Sequence, residues 1–424
     1  MKKKALIIFI LFLFYGTASP QSCLPEGITF TTQEQIDNFQ TNYPGCTEIE
    51  GDVEINGNDI TNLDGLNVLT AIVGDLRIWD NYALTTLSGL RNVTSIGEDL
   101  RIWNNDTLTS LSGLGNVTSI GGEFCIKNNP SLIDLSELGN LSSIGGYMSI
   151  WGNAALTNLT GLDNVTSIEG GLYIGSNYAL TSITGLGNVT LIGGLNIKYN
   201  NALTSLSGLD HMTSLGGSLL IEDNDALTSL SGLDHVTSIG GYLEINDNNA
   251  LTSLTELDNI ISIGGFLTIS DNDALTSLSG LDNIAAFSID GLCIYDNISL
   301  STCEVQSICN YLISSTGTIQ IYNNAPGCNS QEEVEEACES VSVESLNPNE
   351  EISIFPNPAN KQLTLSSKDG TTIEEVIIYN QTGQIVLLEK PVNNIVDISL
   401  LQPGLYIIEV ASGQRVVRER LMIE

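Results

Sequence analysis

The chain has 424 residues, with 14 Lys+Arg against 50 Asp+Glu and a formal charge of −36. Such an acid excess excludes nucleic acid and anionic membrane surfaces as general partners, and two His in the whole chain leave little for histidine catalysis or zinc binding. Charged residues are 15% and apolar residues 42%, which excludes wholesale disorder as well.

Lys2, Lys3 and Lys4 precede an apolar run from Ala5 to Tyr15 and the small residues Gly16, Thr17 and Ala18. This is the order of a signal peptide, so residues 1–18 are expected to be cleaved after Ala18. The apolar run is too short for a stable bilayer anchor. The mature chain is expected to have no membrane span and to be secreted or placed on the outer cell surface. Export permits disulfides. Residues 19–50 read as an N-terminal cap, with Cys23 and Cys46 as the natural pair and a short helix over Thr31 to Tyr43 carrying Ile36 and Phe39.

Residues 51–299 are a repeat. Asn recurs at 58, 81, 105, 129, 153, 177, 200, 224, 248, 272, 297 and 324, with gaps of 23 to 27 residues. A fixed period of this kind signals a solenoid. In the unit ending at Asn248 the apolar positions are Leu227, Leu230, Leu233, Val236, Ile239, Leu243 and Ile245. No long helical stripe fits them, and Leu243-x-Ile245 alternates like a strand. Gly232 and Gly240-Gly241 supply corners. The unit ending at Asn200 has lost one residue after Gly193-Gly194. Stacking about 12 coils at about 4.8 Å gives a rod roughly 55 Å long. Asn81, Asn105, Asn129, Asn153, Asn177, Asn200, Asn224, Asn248 and Asn272 read as a structural ladder inside the bend, satisfying backbone groups of neighbouring coils. The sequons at Asn92, Asn116 and Asn188 follow from the repeat, and His211 and His235 are turn residues at one repeat position. The acidic corners at Asp223, Asp247 and Asp271 match no established calcium loop and read as solvated turns.

Residues 300–340 read as a C-terminal cap. Val305, Ile308, Leu312 and Ile313 form one helical stripe, and residues 330–338 form a second, acidic helix. Cys303, Cys309, Cys328 and Cys338 lie here and allow three connectivities. The coil of short Leu-x-Ile strands with a Cys-bracketed helical cap resembles the receptor L domain, the leucine-rich right-handed β-helix of insulin- and epidermal-growth-factor-type receptors, over about residues 23–340. The resemblance implies a ligand-binding platform, not an enzyme. This chain departs from it in having more numerous, more regular coils, so hormone recognition is not carried over.

Residues 341–351 are polar and acidic and read as a linker. Residues 352–424 read as short strands and turns, with Ile377–Tyr379 and Ile385–Leu388 paired about Gly383, and suggest a small antiparallel sandwich. This tail resembles the C-terminal sorting domain of type IX secretion (Por) substrates, on Pro356, Asn357, Pro358, Gly383, Asp397, Leu400, Pro403, Gly404, Leu405, Tyr406, Arg415 and Arg418. The resemblance implies passage through the outer membrane by the type IX machinery. The expected fold class is all-β: a right-handed parallel β-helix or leucine-rich solenoid with Cys-containing helical caps, followed by a small antiparallel β-sandwich.

In each Leu-x-Ile-x strand the two x positions are expected to point outward. Every Trp lies in the second column: Trp79, Trp103 and Trp151. Five basic residues fall in the solenoid, Arg77, Arg91, Arg101, Lys127 and Lys198, and all but Arg91 lie in these two columns. With Tyr173 from the first column, they make a candidate binding face for a glycan or a surface protein. The competing reading is cross-strand stacking that serves only stability. No GxSxG, HExxH, P-loop or strand–helix GxGxxG appears, so no catalytic residue, cofactor or metal is expected. The function expected is non-catalytic binding or adhesion at the cell surface. The alternatives are a structural spacer or coat protein, or a β-helix polysaccharide lyase, disfavoured because the basic face lacks clustered carboxylates.

Overall fold

The computed structural model describes residues 21–314, 317–345, 352–355, 359, 361–367, 372–380, 383–391, 394–412 and 415–423. Residues 1–18, read above as a signal peptide, and Pro356, Asn357 and Pro358 of the expected sorting motif lie outside them.

The repeat folds as a three-sided coil. One side of each coil is a strand of about four residues, such as Leu243–Asn246, and these stack in a parallel thirteen-stranded sheet. A second side is a two-residue strand, such as Ser238–Ile239, stacking into an eleven-stranded parallel sheet. The third side carries 3-10 turns, such as Thr255–Leu257. Pairing is in register, so Leu219 faces Leu243 and Ile221 faces Ile245. The seven apolar positions of the unit are buried, each at 2% exposure or less, and each contributes about 1.5–3 kcal/mol relative to exposure. They join one continuous core running from Phe30 to Cys338.

A corner holds each coil closed. The residue before the ladder Asn takes φ of about +55°, as at Asp80, Asn104, Asp223 and Asp247. Asp and Asn tolerate this left-handed conformation best among non-glycine residues and fill most of these corners, while Gly152, Ser176 and Tyr199 take the three in the middle of the solenoid. Asn58 is the exception: it is exposed, and the Gly57 amide donates to Asn81 Oδ1 at 2.9 Å in its place. The first bend is one residue shorter, five steps from Ile55 to Ile60 against six from Ile78 to Leu84, so it has no room for the left-handed residue.

The N-terminal segment is itself a coil. Ser22–Cys23 and Ile28–Phe30 open the two sheets, and the helix expected at Thr31 to Tyr43 is split into Gln33–Asp37 and Phe39–Asn42. Thr32 caps the first with a reciprocal capping box to Gln35, and Ile36 and Phe39 close the end of the core. At the other end, Gln306–Ser314 buries Val305 and Ile308. Ile313 departs from the expected stripe: it is 83% exposed while Ile308 and Tyr311 are buried, because the helix packs on the 3-10 turn Ala286–Ser288 and the acidic helix, which cover only part of its circumference. The acidic helix runs Gln331–Ser345, five residues into the segment read as linker. Disulfides join Cys23 to Cys46, Cys303 to Cys328 and Cys309 to Cys338. Cys125 and Cys293 are unpaired and half-buried.

The tail is two antiparallel sheets, one of three strands and one of four, around a core of its own that includes Leu363, Val376, Ile378 and Ile408. Ile377 pairs with Leu388 and Tyr379 with Ile385 across the Gly383 turn.

Candidate functional site

The thirteen-stranded sheet sets the two candidate columns side by side. Arg77 pairs with Arg101 and Trp79 with Trp103; Lys127 lies between Trp103 and Trp151. Trp79 and Trp103 stack in parallel, 5.7 Å between centroids and 2° between planes. Trp151 instead lies over Gly175, where an added Cβ would fall 2.1 Å from its ring, and meets Tyr199 edge-on at 6.3 Å. All three Trp are half-buried, while Lys127 and Tyr173 are exposed. Leu220 in the first column and Gly175, Asn246 and Ser270 in the second are covered on this face and buried. The Trp151 ring covers Gly175, Leu220 lines a cleft, and the Ser270 hydroxyl donates to Asn246 Oδ1 at 3.0 Å.

Three of the four basic residues in the two columns are ion-paired. Arg77 lies 3.0 Å from Asp52 and 3.1 Å from Glu54, and it also contacts Asp75. Arg101 lies 2.7 Å from Asp99 and 2.8 Å from Glu123, and Lys198 is 2.5 Å from Glu222. Burial opposes the Arg77 charge, but Asp75 and Asp52 overcome it and raise its pKa. The Glu123 hydrogen bond does the same for Arg101. The premise that this face lacks clustered carboxylates is therefore wrong. Asp75, Asp99 and Glu123 each sit immediately before a strand, one coil apart, and the sequence signal was the acid preceding Leu-Arg. Asp52, Asp75 and Glu98 offer oxygens within 4.8 Å of one another, and the Arg77 guanidinium already pairs with Asp52 and Asp75.

The ladder Asn are buried at every position from Asn81 to Asn272. Asn153 is representative. Its Nδ2 donates to the Ile126 carbonyl at 3.0 Å, and its Oδ1 accepts from the Asn129 backbone at 3.1 Å. A second ladder went unread in the sequence. Asn92, Asn116, Asn140, Asn164 and Asn188 each donate from Nδ2 to a carbonyl of the preceding coil at 2.6–2.7 Å. His211 takes the same place with Nδ1 at 2.5 Å from the Gly187 carbonyl. The period-spaced sequons were its trace. The acidic corners are the left-handed residues themselves. Burial, then Asp271 and Asp223, push Asp247 up to about 6.

In the tail, Gly383 takes φ of +76° in its turn. The Asp397 side chain caps the Ser399 amide at 2.9 Å, which holds its pKa below the usual carboxylate value. The Tyr406 hydroxyl donates to the Gln402 carbonyl at 2.8 Å, straddling Pro403-Gly404.

Comparison with known proteins places both halves. The receptor L domain family matches residues 45–133, a narrower span than the 23–340 of the resemblance. The secretion system C-terminal sorting domain matches residues 353–424. Beta-agarase D of Zobellia galactanivorans is 30% identical over 110 residues, 25% of this chain and 22% of that enzyme, so the chain spans about a fifth of that relative. Both matched domain types are non-catalytic. Among the described residues no helix is long and apolar enough to cross a membrane. The chain thus joins a receptor L domain within a leucine-rich β-solenoid to a type IX sorting domain that directs its export to the cell surface or beyond.

Proposed function

We propose that the protein is a non-catalytic surface-binding or adhesion module whose thirteen-stranded sheet docks a glycan or a surface protein. Trp79, Trp103, Trp151 and Tyr173 offer the contact area, flanked by Arg77, Arg101, Lys127 and Lys198. The observation that carries this reading is the in-register, half-exposed stacking of Trp79 on Trp103 on a sheet face. Exposed aromatic rings suit the apolar faces of sugars and the hot spots of protein partners. The ion-paired Arg orient the surface and set its polarity, rather than presenting free positive charge.

The domain boundaries proposed are a signal peptide at 1–18, caps at 19–50 and 300–340, the solenoid at 51–299, a linker at 341–351 and the sorting domain at 352–424. A spacer or coat role is the second reading, because Trp79 stacked on Trp103 stabilises the sheet with or without a ligand. The carboxylate–arginine ladder does not favour a lyase. A base must give up its proton, and Arg77 and Arg101 are held in the charged form.

A glycan array on the full exported chain tests the reading. It should include neutral and sulfated polysaccharides, with agarose among them because one relative is named for agar cleavage. Trp103→Ala and Arg101→Ala are expected to abolish the hit while the variants stay folded. A hit indifferent to both refutes the face. Ordered self-assembly without ligand favours the coat reading, and unsaturated products from an acidic polysaccharide revive the lyase.

A further inference from the structure

Along the thirteen-stranded sheet, one residue per coil stands just before the strand and forms a wall. The wall reads Asp75, Asp99, Glu123 and Tyr147, then Gly171. The next coil has Gly194 at this place, its carbonyl accepting from the Leu172 amide as the Gly171 carbonyl accepts from Met148. Ser218 and Tyr242 follow. Two consecutive side chains are therefore missing and a third is small. The gap is a cleft of about 550 Å³. Tyr147 and Tyr242 stand at its ends, Tyr173 lies alongside, and Asn196 and Leu220 form the floor. A Cβ on Gly171 would come within 3.0 Å of the Tyr173 ring, and one on Gly217 within 2.7 Å of the Gly193 carbonyl, so glycine keeps the cleft open.

We propose that this cleft is a binding site for a short stretch of a neutral pyranose polysaccharide. The rim is aromatic and accessible: Tyr147, Tyr173 and Tyr242 are 49%, 37% and 40% exposed. Sugar C–H faces pack on such rings. The floor asks for a hydroxyl donor, because Asn196 Oδ1 is buried without a hydrogen-bond partner. An apolar side chain in the cleft would leave that oxygen unpaired and dry, which costs about 1–3 kcal/mol. Glu169 is the one charged residue in the lining and the chain as a whole carries −36, so an anionic chain is disfavoured. A second cleft of about 330 Å³ shares Tyr147 and Tyr173 and continues toward Ser149 and Cys125. The two clefts together make a groove that fits an oligosaccharide better than a single sugar. The clefts share Tyr173, and the second also Lys127, with the edge of the face proposed above, but neither includes Trp79 or Trp103, so substitutions can tell the two apart.

The test is calorimetric titration of the full exported chain with agarohexaose, cellohexaose, laminarihexaose and mannohexaose. At least one is expected to bind. Asn196→Leu places in this column the residue its neighbour Leu220 already is. It is expected to raise Tm, by removing the unpaired acceptor, while weakening binding about tenfold. Tyr242→Ala is expected to weaken binding to a similar degree while the fold is kept, and Tyr178→Ala, at an exposed tyrosine outside both clefts, to leave it unchanged. The proposal is overturned if none of the four sugars binds or if Asn196→Leu and Tyr242→Ala bind like the parent. Binding lost only in Trp79→Ala overturns it too, and that outcome would support the Trp face instead.

Discussion

Asn153 sits between neighbouring coils and spends every polar atom it has. Its Nδ2 serves the Ile126 and Trp151 carbonyls, and its Oδ1 takes the Asn129 amide. Asn153→Ala strands these buried groups without water. The expected cost is about 2–4 kcal/mol, read as a fall in the denaturation midpoint. Asn164→Ala is the control. That side chain is exposed and makes one bond to the Gly139 carbonyl, so its loss should cost under about 1 kcal/mol because water can replace it. Equal losses at both sites would refute the distinction. The buried ladder was legible because its period is strict and its residue nearly invariant along the chain. The outer ladder was not, because its Asn fall within sequons, and His211 breaks the pattern while doing the same job.

At the scale of the element, the corner decides most. Left-handed Asp residues before three successive ladder Asn, Asp223, Asp247 and Asp271, stack carboxylates one coil apart. Asp247, pushed up to about 6, takes up its proton far more readily than in the unfolded chain, where the value is about 3.9. The sign follows from linkage. A raised carboxylate favours the folded state below the unfolded value, and that advantage is lost as pH rises through about 6. Asp247→Asn should raise Tm by roughly 1–2 °C at pH 7.5, after allowing for solvent screening, and do nothing at pH 4. A variant whose Tm tracks the parent from pH 4 to 7.5 would sink this account. Asn also tolerates the left-handed backbone, so the fold is not strained by the change. Strands such as Leu243–Asn246 were legible from alternation alone. The pairing of Arg77 and Arg101 with Asp75, Asp99 and Glu123 was not. Asp75 and Asp99 lie only two residues from their arginines, but within one unit an acid before a strand reads as a turn, and only stacking adds Asp52, Glu54 and Glu123 from neighbouring coils. Ile313 misled for the opposite reason: helical spacing marks a stripe, but tertiary contact decides how wide a stripe is covered.

The whole molecule divides into two cores, one running the length of the solenoid and one inside the tail. The division suits the address read from the tail, because the sorting domain carries its own packing and does not depend on the coils for its core. Deleting 352–424 is expected to leave a folded solenoid trapped inside the outer membrane, seen by fractionating cells that carry the type IX machinery. Export of the truncated chain at the parental level would refute the sorting role. The solenoid itself has a further property. Within the solenoid, each coil pairs with the coil before it and the coil after it through the same positions. Duplicating a segment such as 225–248 would therefore add about 4.8 Å of reach without redesigning either terminus, so a lineage of such proteins can change how far it extends from the cell by copying DNA alone.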